Sequence, residues 1–217
     1  MLSGLLALQG LLAVAVAGSE VHRLAVISGV ERDLVSGAVL DRVRDAEGLT
    51  RGLVMGAGVV MLPTVAAFIV WLWRAAKNNE ALGRDHPRLG AQWAVAGWFV
   101  PLAGLVLPVL VTQDLWRGSN VEIGRGDMRW RIAPRSLLIG WWWGCWLFGS
   151  LVVVRIFGKT APGATVSAVR VNAIGGLAEG IVLAVAAVLA MMVVRRVANR
   201  QISTLEVQQT VWESRAR

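Results

Sequence analysis

Few residues in this chain have both the type and the setting to do chemistry. Glu179 is the first candidate, an acid well inside an apolar block. A carboxyl in that position costs ~2.5–3.5 kcal/mol on insertion scales unless it faces the interior of a bundle. It could serve as a proton or cation site, or as the counter-charge for a basic substrate. It could equally rest near its helix N-terminus, stabilised by the dipole and interfacial water. Trp141, Trp142 and Trp143 are a second candidate, as the wall of an aromatic pocket or as an interfacial belt. Successive helical residues point about 100° apart, so at most two of the three can serve one pocket. Cys145 stands alone and reads as a small buried thiol. His22 and His86 fall in different loops with no ligand-spaced partners, so no metal site is expected and no cofactor is implied. Ser119, Asp114 and Glu122 are close in sequence, but nothing in the sequence organises them. Nucleophile elbows, zinc-binding helices and phosphate loops are missing, which argues against catalysis.

The elements that must carry these residues are apolar blocks. The chain has 217 residues, of which 56% are hydrophobic and 17% charged. About 20 apolar residues cross about 30 Å of hydrocarbon. Five blocks approach that length, at roughly 2–28, 52–73, 93–111, 136–154 and 172–194. Pro101 and Pro108 interrupt the third, which either spans or re-enters. The expected fold is therefore a single all-α membrane domain, a bundle of about five hydrophobic helices with the third proline-broken. Ala15-Val16-Ala17 resembles a cleavage site, but the n-region has no basic residue, and an uncleaved first helix is expected. Residues 29–51 carry mixed charge, with Val35, Val39 and Val43 at helical spacing, and read as an amphipathic connector. The polar tail 195–217 reads as cytoplasmic. Gly52-x-x-x-Gly56, Gly140-x-x-x-Gly144 and Gly176-x-x-x-Gly180 allow close helix approach, within the chain or to another copy.

The net charge of +8 lies between the apolar blocks, where it meets anionic headgroups. No nucleic-acid partner is expected, because no basic stretch with interleaved aromatics stands clear of a span. The run Trp71-Leu-Trp-Arg74-Ala-Ala-Lys77-Asn78 has the form of a helix leaving the bilayer, aromatic then basic. Its side of the membrane is ambiguous. Five spans with the N-terminus outside, or a re-entrant third block with the N-terminus inside, leave nearly the same excess of positive charge in the cytoplasm. The two arrangements put Trp71–Leu82 on opposite sides.

Two segments together carry a family resemblance. One is Trp71-Leu-Trp-Arg74-Ala-Ala-Lys77-Asn78-(x3)-Leu82. The other is Trp93-(x4)-Trp98-Phe99-Val-Pro101-(x3)-Leu105-x-x-Pro108-(x7)-Trp116. With Trp141-Trp142-(x3)-Trp146 and Arg200-Gln201, the chain resembles the domain of unknown function 4328 family of bacterial multi-pass membrane proteins. The resemblance implies architecture and a bacterial cytoplasmic membrane, and no chemistry. It marks Trp71, Arg74, Lys77, Asn78, Trp98, Pro101, Pro108, Trp116, Trp142 and Gln201 as interface candidates. Where the family carries polar and aromatic residues, this chain reads Gly104-Leu105-Val106-Leu107-Pro108-Val109, apolar enough to favour a fifth span. The expected function is non-catalytic: a subunit binding lipid, another membrane protein or a second copy through its basic edge and Trp-rich helices. A small transporter using Glu179 and the broken third helix is the alternative, and an intramembrane enzyme the third reading.

Overall fold

The computed structural model describes residues 1–30, 37–84, 87–156 and 165–216. Six helices follow in chain order: α1 (Leu2–Val30), α2 (Gly37–Ala81), α3 (Trp93–Ala96), α4 (Leu107–Gly118), α5 (Leu137–Ile156) and α6 (Val166–Ala216). Two 3-10 turns, Ala103–Leu105 and Met128–Ile132, complete the set, and no strand occurs among the described residues. The fold is all-α. Leu2–Gly29, Asp41–Ala81 and Val166–Ser214 are long and apolar enough to cross a membrane.

The α2 helix has 45 residues and α6 has 51. At 1.5 Å per residue these are about 68 and 77 Å long, so each extends well beyond a hydrocarbon layer of about 30 Å. The connector expected at 29–51 is accordingly not a separate element. Residues 37–51 are the first turns of α2, and Val35 lies outside the described residues, as does His86. The tail continues α6 without a break. Pro63 is accommodated inside α2, where the neighbouring Thr64 hydroxyl donates to the Val60 carbonyl at 2.7 Å.

The third apolar block departs most from expectation. Residues 93–111 form no spanning helix, only the four-residue α3, a turn, and the beginning of α4. Proline explains both interruptions. Pro101 disfavours helix at the preceding residue, and Leu102 after it takes φ 62, the only positive φ outside glycine among the described residues. Pro108 sits in the first turn of α4, where its missing N–H costs nothing. Among the described residues, α1, α2 and α6 are therefore the helices long and apolar enough to cross, and α5 is a further apolar helix of 20 residues.

The chain divides into two compact units. The second comprises Gly4–Thr64 and Gly144–Val188. In it α1 and α6 pack antiparallel along a seam of small residues. Gly10 meets Ala187, and a Cβ at Gly180 would lie 2.9 Å from the Ala13 carbonyl and 3.0 Å from Ala17. Gly176 faces the Glu20 side chain. These glycines let the backbones approach, as the 176/180 pair suggests. By contrast, Gly52, Gly56, Gly140 and Gly144 have open space where a Cβ would go, so among the described residues these pairs hold no helix. On α1, Ser19 accepts from Thr50 at 3.1 Å and Arg23 donates to Glu47 at 3.3 Å, which ties α1 to α2.

The first unit comprises Met1–Ser3, Val65–Trp143 and Leu189–Arg217. Phe68 is its aromatic centre, with ring centroids 5.3 Å from Trp71, 6.0 Å from Trp98 and 5.2 Å from Trp142. Trp143 extends the cluster to Trp98 and Trp142 and donates its indole N–H to the Leu105 carbonyl at 2.8 Å. Trp141 points out, 69% exposed. Two of the three consecutive tryptophans thus serve one cluster. That cluster buries Trp142 and leaves Trp98 half-buried.

Candidate functional site

The run Trp71–Leu82 ends α2 and supplies the middle of a buried polar hub in the first unit. Arg74, Lys77 and Asn78 are on its exposed side, with Lys77 paired to Glu80 at 2.8 Å. Asn79, one residue on, is buried. Its amide nitrogen reaches toward the Asp114 and Leu115 carbonyls at the end of α4, at 3.4 and 3.5 Å. Its amide oxygen accepts from Gln201 at 3.1 Å and Ser119 at 3.4 Å. Gln201 also donates to the Ala75 carbonyl at 2.9 Å and accepts from Asn78 at 3.4 Å. Thr204, Arg200 and Gln208 of α6 donate to the carbonyls of Ser119, Ser119 and Leu82. A Cβ at Gly118 would run into the Asn79 amide, so this position needs glycine for close approach.

Arg84 fixes the loop after α4. Its guanidinium, 1% exposed, donates to four backbone carbonyls: Gly118 at 2.7 Å, Gly124 at 2.6 Å, Asn120 at 3.0 Å and Ile123 at 2.8 Å. Helix C-termini leave such carbonyls without partners, and a planar fork of five N–H donors suits several at once. Burial pushes the Arg84 guanidinium below the usual arginine range, partly offset by Asp127. Arg84 is therefore structural and is not free to meet lipid, although its place in the basic run suggested a surface charge.

Several arginines gather beside α4. Gln113 and Ser136 exchange two hydrogen bonds at 2.8 and 2.9 Å, which clamp α4 to the residues just before α5. Arg117 is one turn from Gln113, and Arg135 adjoins Ser136, so the clamp sets the two cations side by side. Arg88 joins them around a cavity of about 190 Å³, with Asp114 in its wall. A second cavity, about 220 Å³, is lined by Arg117, Arg135, Arg200 and Trp116. The Arg200 guanidinium lies 3.9 Å from the Trp116 ring centroid, a cation–π contact. Burial, then Arg88 and Arg135, push the Arg117 guanidinium below the arginine range, with Asp114 opposing. Burial raises the Asp114 carboxyl, against the pull of Arg88, Arg117, Arg131 and Arg135.

The sequence-predicted residues divide cleanly. Trp71, Trp98, Pro108, Trp116, Trp142 and Gln201 belong to the first unit's interior contacts, whereas Arg74, Lys77, Asn78 and Pro101 are exposed, Asn78 still donating to Gln201. Glu179 lies apart, in the second unit, half-buried and near enough to Glu20 for like-charge repulsion. Glu20 is 5% exposed and pairs with Arg23 at 3.4 Å. Glu20 was not among the candidates, though its place within the first apolar block would have singled it out. Asn79 and Arg117 were missed as well. A polar side chain one residue from a helix end gives no sign in the sequence of which neighbour will cover it.

Long apolar helices joined to a compact polar hub define an all-α membrane protein. The family model described as "Domain of unknown function (DUF4328)" matches residues 37–199, and the chain belongs to that family. No match was found among curated proteins or among solved structures.

Proposed function

We propose that this is a non-catalytic, multi-pass protein of the bacterial cytoplasmic membrane that binds anionic lipid headgroups through the arginine-rich surface of its first unit. The observation that carries the reading is the hydrogen-bonded union of three basic segments. The end of α2, the 118–124 loop and the 200–208 stretch of α6 bond to one another, so they share one side of the membrane. That supports the N-inside arrangement over the five-span one, which would put Trp71–Leu82 opposite the other two. Four crossings by α1, α2, α5 and α6 satisfy it, with both chain ends inside. Positive charge then concentrates in the cytoplasm, as membrane insertion favours, and faces the leaflet where anionic lipid attracts basic residues. The open Gly140 and Gly144 of α5 offer a close-approach face to a second membrane helix, from a partner or another copy.

Affinity purification from the native membrane, with analysis of the retained lipids and proteins, tests this. Phosphatidylglycerol and cardiolipin should be enriched over phosphatidylethanolamine relative to the bulk membrane. Replacing the exposed Arg74, Lys77, Arg195 and Arg196 together with Gln should reduce that enrichment several-fold, since each basic residue at the surface contributes about 1 kcal/mol. Retained lipid of bulk composition in the wild type would overturn the proposal.

A further inference from the structure

We propose that the arginine cavity around Arg117 is a binding site for a phosphomonoester or inorganic phosphate, a dianion carried by a lipid headgroup or free in solution. This goes beyond the lipid-binding reading, whose phosphatidylglycerol and cardiolipin are phosphodiesters, and adds one stoichiometric site for a more highly charged group. Two observations support it. Arg117 is 7% exposed, yet its buried Nε has no hydrogen-bond partner among the described residues. A buried donor left unpaired is costly, and a guanidinium on a cavity wall offers paired N–H donors that two oxygens of a phosphate can take side on. The cavities Arg117 lines, about 190 and 220 Å³, far exceed the ~10–15 Å³ that a single water needs.

Charge selects the class of ligand. At the first cavity three guanidiniums, Arg88, Arg117 and Arg135, face one carboxylate, Asp114. The Asp114–Arg117 contact is long, at 4.0 Å, and the second Asp114 oxygen is buried without a partner. Among the described residues two positive charges remain in excess, which a phosphomonoester carrying about −1.5 to −2 balances. A phosphodiester, with a single charge, leaves one unmatched. The enclosure is built by the fold: the Gln113–Ser136 clamp holds Arg135 beside Arg117, and the Arg88 guanidinium reaches the Arg131 carbonyl at 3.5 Å.

Calorimetric titration of inorganic phosphate into the full chain, held in phosphatidylcholine nanodiscs, is the test. Wild type should bind saturably, one to one. Arg117→Gln should weaken binding about tenfold or more, the loss expected for one charge-assisted contact. Arg135→Gln, at an exposed position, preserves the fold and should weaken it comparably, whereas Arg42→Gln, at an exposed position of the second unit, should leave it unchanged. Absence of saturable phosphate binding, or wild-type affinity in Arg135→Gln, would overturn the proposal. Discs doped with phosphatidic acid separate the sources. Competition with added phosphate assigns the site to the headgroup; unchanged phosphate affinity assigns it to the free ion. Loss of phosphate binding with phosphatidylglycerol enrichment intact would sink this site and leave the lipid reading standing.

Discussion

Replacing Arg84 with Gln should lower the stability of the first unit by about 3–5 kcal/mol, read as a large drop in the melting temperature followed by tryptophan fluorescence. The guanidinium donates to four carbonyls, and hydrogen bonds to charged groups contribute about 1.5–3 kcal/mol each, without simple additivity. Gln can replace one or two of them and leaves the rest buried without a donor. Lys should not rescue, because three donors on a single ammonium cannot span four carbonyls in a plane. The loop after Gly118 would then lose its anchor to the segment that follows α2. A variant that melts like wild type would show that the loop holds itself, and that the arginine is incidental.

Phe68→Ala should cost about 3–5 kcal/mol, the usual range for removing a buried phenyl group. Phe68 is 5% exposed and touches three indole rings, so its loss leaves a hole between α2, the 93–98 segment and α5. Trp141→Ala, although it removes a larger side chain, should change the melt little, because that ring is outside the cluster. Equal effects of the two substitutions would mean that the aromatic centre is misassigned. The melt should be followed in one detergent for all variants, since membrane-mimetic binding itself shifts apparent stability.

The helical class, the long apolar helices and the family were legible in the sequence, because length and hydropathy are summed over many residues. Single positions were less so. Three Gly-x-x-x-Gly pairs of the sequence reading look alike, yet among the described residues only Gly176 and Gly180 of these have a helix against them, the small-residue face of α1. The spacing encodes a capacity for close approach and not the partner. The third apolar block met the length criterion for a span, but Pro101 and Pro108 divide it into pieces too short to cross. Hydropathy weighs side chains and overlooks backbone donors. Asn78 was singled out and Asn79 was not, although one residue along a helix turns the side chain by about 100° into the hub. Arg84 and Arg117 looked like two more cytoplasmic charges in a basic chain. Their burial follows from carbonyls and neighbours contributed by distant segments, which no local pattern records.

The account depends on the arginine-rich unit being on the cytoplasmic side. Labelling a single cysteine tests this directly. Cys145→Ser removes the native thiol, and Gly124→Cys places a new one on the exposed loop, where the added side chain meets open space. With a membrane-impermeant maleimide, the account predicts no labelling in intact spheroplasts and full labelling in inside-out vesicles. Labelling in intact spheroplasts would put Arg84, Arg117 and Gln201 on the outer face and contradict both the four-crossing arrangement and the cytoplasmic lipid contact.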